Sequence, residues 1–488
     1  MEALRSIIGL LLLSLCLNAF AVRQRTHRHR MSDGSVLTFK TRASNIKKAS
    51  LYPYKNWDPK KKYKVPVLLM SFSDCDFKAE HDLQFYKDLF NTKGFNKRNG
   101  AGCVADYFRD QSRGKFNVEF DVVGPFKLSS KQKKSGSGYN FGDSQIIQAV
   151  SQADAQLNFS DYDWDNDGKA EAVIVVFAGY GANEDTTLVK GCIWPNTDYY
   201  YGSKVDGVEI AQYSASAEIW SNDASCGIGT ICHEFSHVLG LPDLYPTSGK
   251  EFSVVDEWDL MDGGNYTDDG WCPPNYSTLE KELLGWQSPE PLKQSCDITE
   301  MPSFDSSGKA YKIVNESNPS EYYLIENRQW EGWDFMLPNH GMLITYVDYD
   351  ESSWTYNSVN TSPSHHRYEY LHADGHDYNF FHHLYRKPGQ YGEDGRSMIL
   401  KNTVYPYTDA EGVTSTIPKL FGNTISELSE HDGLLTFRFT DAASGVSSLN
   451  TDAYPVEYYD LQGRKINEPG RGIYVVRYSN GTTKKIMR

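Results

Sequence analysis

A chain of 488 residues with a formal charge of −15 can hold two to four domains and a large core. That acidic balance argues against nucleic acid and anionic membrane surfaces as partners. Aromatic residues make up 14% of it, including 33 tyrosines, an excess that suits sheets better than helical bundles.

The amino end carries Arg5, an apolar run over 7–17 and then Ala19-Phe20-Ala21. The run is too short to span a bilayer, and the small residues have the spacing of a cleavage site. Residues 1–21 are therefore expected to be a signal peptide cut after Ala21, giving an extracellular or cell-surface protein without a transmembrane anchor. Leu15 before Cys16 is too bulky for lipoprotein processing. Residues 22–62 begin with a basic stretch, Arg23 to Arg30, and show no periodic apolar face, so they read as a propeptide or N-terminal strap. No cysteine lies between Val22 and Tyr63, which excludes a thiol block on a metal and leaves a carboxylate such as Asp33 for that role.

Export permits disulfides. Without Cys16 there remain Cys75, Cys103, Cys192, Cys226, Cys232, Cys272 and Cys296, an odd set that leaves at least one thiol unpaired. Cys232 reads as a small core residue, and the pairings stay open.

Residues 65–72 form a continuous apolar run, the pattern of a buried strand. Leu83, Phe85, Tyr86, Leu89 and Phe90 recur at helical spacing, and Val104, Tyr107 and Phe108 mark a second helix. Residues 116–128 alternate like a strand, 146–157 are helical, and 172–178 form a strand closed by Gly179-Tyr180-Gly181. Before that strand, Asp163, Asp165, Asp167 and Glu171 flank a sharp glycine bend at Gly168, an arrangement suited to calcium. Ile174 stands where a complete helix-loop-helix loop has its glutamate, so the match is partial. The plainer alternative is an Asp/Asn-rich turn capping a strand.

The chemistry concentrates in Thr230-Ile231-Cys232-His233-Glu234-Phe235-Ser236-His237-Val238-Leu239-Gly240-Leu241-Pro242-Asp243. Two histidines four apart share one helical face and can reach one ion, and Glu234 projects beside it to polarise a water. Gly240 ends the helix, Pro242 stiffens the return, and Asp243 is the first oxygen ligand able to reach back. With 13 histidines in the chain, His-Glu-x-x-His arises by chance roughly once in fifty such sequences. Ile228, Ile231, Cys232, Phe235, Val238 and Leu239 already supply a buried stripe, which leaves the histidines surplus to packing. Tetrahedral zinc needs three protein ligands and an open fourth position.

This stretch, followed by Leu244-Tyr245, then Trp258-Asp259-Leu260-Met261-Asp262-Gly263-Gly264 and Leu284-Gly285-Trp286, resembles the immune inhibitor A family of secreted metalloproteases. The resemblance implies His233, His237 and Asp243 as zinc ligands, Glu234 as general base and Met261 as the methionine beneath the metal. It also implies protein or peptide substrates and a metzincin-like fold. The expected class is thus α+β. A zinc protease domain over 63–287 has a mixed sheet and an active-site helix, and a β-rich subdomain follows over 288–440. Tyr266 and Tyr276, both past Met261, are the candidate donors to the tetrahedral oxyanion. Glu257 is a rival third ligand of the thermolysin type, but 254–259 shows no helical stripe and that scheme leaves Gly240 and Asp243 unexplained.

Strands are expected over 311–314, 321–326, 341–347 and 434–439. His365, His366, His372, His376, His382 and His383 match no standard ligand spacing and read as a Tyr/His-rich loop. Residues 445–450 are a Ser/Gly-rich linker, and 457–486 read as short strands joined by turns. The 441–488 segment resembles the sorting domains of type IX secretion, which would make secretion machinery a partner. The function expected is a secreted zinc endopeptidase. The alternative is a protein that binds glycan or host protein on a retired protease scaffold, although Glu234 and every expected ligand are intact.

Overall fold

The computed structural model describes residues 26–40, 56–136, 138–248, 254–375, 396, 400–442, 455–466, 472–478 and 483–487. The signal run with its cleavage point, the 445–450 linker, and His376, His382 and His383 lie outside the described residues. None of the described helices is long and apolar enough to cross a membrane.

The first element is a hairpin of β1 (Thr26–Arg30) and β2 (Val36–Lys40). A five-stranded sheet follows, built from β3 (Lys62–Ser71), β4 (Asn117–Lys127), β5 (Lys169–Tyr180), β6 (Asn196–Tyr199) and β7 (Glu209–Ile219) in the order β4-β3-β5-β7-β6. Four strands are parallel and only β6, at the edge, is antiparallel. Parallel neighbours need crossovers. Helices α1 (Leu83–Asn91) and α2 (Val104–Gln111) connect β3 to β4, and α3 (Asp143–Ala153) connects β4 to β5. Burial on both faces explains why β3 and β5 read as unbroken apolar runs.

Strand β7 carries no such signature. In β7 the central residues Ser214-Ala215-Ser216-Ala217 are small enough for a helix to pack close but lack the large apolar side chains that make a strand stand out. The helix expected over 146–157 begins and ends earlier, at Asp143 and Ala153, because Leu157 belongs to the turn that follows it.

Helix α4 (Gly229–Leu239) packs against β7, and all of its residues are buried. Its first residue must be glycine, since a Cβ there would lie 2.0 Å from the carbonyl oxygen of Asn265. Its end is closed by Gly240 at φ +111°, a backbone region that L side chains rarely adopt.

Past residue 287 the chain forms β8 (Glu290–Pro291), β9 (Cys296–Met301), β10 (Ala310–Val314), β11 (Glu321–Arg328), β12 (Gly341–Asp348), β13 (Tyr368–Tyr370), β14 (Thr424–His431) and β15 (Leu434–Thr440). These build one sheet ordered β13-β12-β11-β10-β8 and another ordered β14-β15-β9. A separate four-stranded sheet includes Pro455–Tyr459, Lys465–Ile466, Ile473–Tyr478 and Thr483–Met487.

The apolar core ignores residue 287. Phe235, Trp258 and Met261 share one buried cluster with Tyr322, Leu343, Trp354 and Tyr368. A buried charge network crosses the same line. Arg328 donates to Asp334 Oδ2 (2.6 Å) and to Glu326 Oε2 (3.0 Å), while Glu326 Oε1 accepts from the backbone N–H of Thr278 (2.6 Å). Removing one partner would strand a buried charge. All seven cysteines from Cys75 to Cys296 are free thiols.

Gly229→Ala forces α4 away from Asn265 and is expected to destabilise the fold by more than about 2 kcal/mol in urea denaturation. An unchanged midpoint would show that this helix start is not tightly fitted.

Candidate metal centre

Helical spacing places His233 and His237 one turn apart, with ring centroids 4.9 Å apart. Each ring is fixed from behind. His233 Nδ1 lies 2.8 Å from the carbonyl oxygen of Leu260, and His237 Nδ1 lies 2.8 Å from that of Leu241. A carbonyl only accepts, so Nδ1 carries the proton in both rings and each Nε2 presents its lone pair. The turn that contributes Leu260 is itself held, because Met261 N–H donates to Asp259 Oδ1 (2.8 Å) and Leu244 N–H donates to the Met261 carbonyl (2.8 Å).

The chain leaving Gly240 brings Asp243 back over the rings. Its Oδ1 lies 3.3 Å from His233 Nε2 and 3.1 Å from His237 Nε2. A tetrahedral zinc site with bonds of about 2.0–2.1 Å has ligand–ligand edges of about 3.3 Å, so these separations fit one shared ion. Asp243 is fully buried, yet Oδ1 makes no hydrogen bond. The three ligand atoms all lie within 4.8 Å of one another, and Glu257 is outside this group.

Electrostatics give the same answer from another side. Burial resists ionisation of Asp243, but the two imidazoles overcome it and hold the carboxyl far below the usual range. Burial also works against a charged His233, but Asp243 and Glu234 outweigh it and push the imidazole up to about 9. Burial raises the Glu234 carboxyl above its ordinary value. Two buried carboxylates thus draw positive charge to this point, and without an ion only a proton can supply it.

Residues 59–287 match the family described as immune inhibitor A peptidase M6, catalytic domain. This segment is similar to the catalytic domain of the immune inhibitor A peptidases. The pre-pro-metalloprotease PrtV of Vibrio cholerae serotype O1 is 24% identical over 274 residues, covering 45% of this chain and 29% of that protein. Immune inhibitor A of Bacillus thuringiensis subsp. alesti is 24% identical over 278 residues, covering 46% of this chain and 40% of that protein. The chain therefore spans less than half the length of these curated relatives. Among solved structures, metalloproteinase-II from Bacteroides fragilis aligns with 12% identity and a TM-score of 0.22 over 49% of this chain and 57% of that one.

Within this segment, Glu234 lies under the edge strand. Thr197 of β6 donates to the Glu234 carbonyl (2.6 Å) and stands 2.9 Å from its Oε2. No motif marks Thr197, since it reaches the helix through the sheet. Tyr276 does not join the group. It is fully buried beside Tyr107 and Trp286, and its hydroxyl is hydrogen-bonded to Ser236 on another face of α4. That placement corrects the expectation of an oxyanion donor at Tyr276. Tyr266 lies nearer: its hydroxyl accepts from Asn183 Nδ2 (3.4 Å), burial first and then the Glu234 charge raise its pKa, and Phe39 of β2 stacks on its ring at 3.9 Å.

A third tyrosine was missed. The Tyr245 ring lies 6.4 Å from that of His233 and nearly parallel to it, and burial with the Asp243 charge raises its hydroxyl pKa. Its place two residues after Asp243, on the return from α4, was the available signal.

The acidic loop also gathers only in part. Asp163, Asp165 and Glu171 bring carboxylate oxygens within 4.8 Å of one another. Asp167 stays outside, its Oδ1 accepting from Lys169 N–H (2.9 Å). His365 and His366 pair instead with Asp348 and Glu369 (2.8 and 2.9 Å).

The raised pKa of His233 has a definite sign. Its contribution to ion-free stability is complete below its ordinary 6.5 and is lost as pH rises through about 9. Calorimetry of chelator-treated protein should show the unfolding temperature falling over that interval, and His233→Gln should remove the decline. A flat profile for the unsubstituted protein would contradict the cluster's electrostatics.

Proposed function

We propose that this protein is a secreted zinc-dependent endopeptidase acting on extended protein or peptide substrates. The observation that carries the reading is the convergence of His233 Nε2, His237 Nε2 and Asp243 Oδ1 on one point. Two imidazoles and one carboxylate are a donor set suited to catalytic zinc, with the fourth position left for chemistry. When bound, the ion supplies Lewis-acid polarisation of the scissile carbonyl and makes a water easier to deprotonate.

The chain's own groups perform the remaining steps. Glu234 accepts the proton of the attacking water and returns it to the leaving amine nitrogen as the C–N bond breaks. Its burial-raised pKa moves it toward the range in which both transfers are feasible. Thr197 steadies that carboxylate and links it to β6. Because β6 ends the sheet, a substrate strand pairing along its outer edge would pass beside Glu234. Tyr266 and Tyr245 are the nearby hydroxyls from which an oxyanion donor would come.

Residues 22–62 serve in this reading as a propeptide or strap. The described hairpin is anchored by Ser32, whose Oγ donates to Asp269 Oδ2 (2.7 Å), and by Phe39 against Tyr266 and Trp220. Asp163, Asp165 and Glu171 form the proposed calcium site, bracing the loop before β5. Export follows the signal peptide of residues 1–21, and the 441–488 segment would engage secretion machinery.

Digestion of casein by the zinc-loaded mature protein, with and without chelator, tests the activity. Glu234→Gln is expected to lower kcat/KM by roughly 10²–10⁴-fold while retaining zinc. Asp243→Ala should lose zinc and Glu257→Ala should keep it; the reverse would transfer the third ligand to Glu257. If zinc-loaded protein leaves casein and unstructured peptides intact, the binding-protein alternative gains. For the loop, adding calcium to chelated protein should raise its unfolding temperature, and Asp165→Asn should abolish that rise.

A further inference from the structure

The family-matched segment ends at residue 287, but the metal centre does not. Asp243 follows the helix on a short irregular return, where nothing in its own backbone decides which carboxylate oxygen faces the histidines. That decision is made 114 residues downstream. Asn357 Nδ2 donates to Asp243 Oδ2 (2.6 Å), while Asn357 Oδ1 accepts from the Asp243 backbone N–H (2.7 Å). The two bonds form a reciprocal clasp between buried side chains. With Oδ2 engaged, only Oδ1 is left toward the two Nε2 atoms.

The chemistry of the partner matters. An amide offers a donor and an acceptor together and carries no charge, so it fixes Asp243 without neutralising or repelling it. A carboxylate in its place would face another carboxylate. Asn357 stands at φ +53°, a left-handed conformation that asparagine tolerates better than most residues. The surrounding segment is tied to the same strip of chain. Thr247 Oγ1 donates to the Asn357 carbonyl (2.7 Å), and Asn360 Nδ2 donates to the carbonyls of Leu244 and Tyr368 (2.9 Å each).

We propose that Asn357 is the positioning residue for Asp243, so that the region beyond residue 287 supplies an outer partner to the metal ligand and sets the affinity of the site. The proposal rests on the zinc-site reading above. Outer hydrogen bonds of this kind typically govern about 10–100-fold in metal affinity.

The test is zinc titration of the full mature chain in competition with a chromogenic chelator, together with the unfolding temperature of the ion-free protein. Asn357→Gly removes the amide and suits the positive φ. Asn360→Ala loosens the same segment without touching Asp243. The expected result is an affinity about 10–100-fold weaker for Asn357→Gly and within about threefold of the unsubstituted protein for Asn360→Ala, at similar losses of ion-free stability. Unchanged affinity in Asn357→Gly would overturn the proposal. So would equal weakening in both variants in step with their lost stability, since that marks a merely structural role. If the unsubstituted chain takes up no zinc at all, the metal reading itself fails and takes this inference with it.

Discussion

A carboxylate fully enclosed by protein needs positive charge beside it, and that requirement organises this molecule. Asp243 has no lysine or arginine among the ion pairs of the described residues; its charged neighbours are His233 and His237. Both rings are already committed through Nδ1 to backbone carbonyls, which leaves them neutral and outward-facing or protonated at a cost. A divalent ion would resolve the conflict for all three side chains at once, and the same field would act on Glu234 beside them.

Everything else serves to hold that arrangement still. The parallel sheet supports α4 from beneath and carries Thr197 to Glu234 from its antiparallel edge. Gly229 permits the close approach at the start of the helix, and Gly240 permits the reversal that returns Asp243. Leu260, on the turn before Met261, sets the tautomer of His233. The core under these elements is continuous with the second half of the chain, and the enclosed Arg328 network joins 275–278 to 326–334. The β-rich portion is thus packed into the amino-terminal half rather than merely appended to it.

The parts legible in the sequence were those whose partners are close in the chain. Helical spacing joined His233 to His237, a glycine stop announced the return to Asp243, and unbroken apolar runs marked β3 and β5. The polar, small-residue centre of β7 hid a strand, because its burial comes from close helix packing rather than from large side chains. Tyr276 was misplaced because distance along the chain past Met261 says nothing about the direction in which a ring enters the core. Thr197 and Asn357 reach Glu234 and Asp243 from 37 and 114 residues away, and no local pattern records such meetings.

The most direct measurement is a crystal structure of the zinc-soaked protein with diffraction recorded on either side of the zinc absorption edge. A single anomalous peak about 2.0–2.1 Å from His233 Nε2, His237 Nε2 and Asp243 Oδ1 is the predicted result. A peak ligated by Glu257 in place of Asp243, or no peak between the two histidines, would contradict the account.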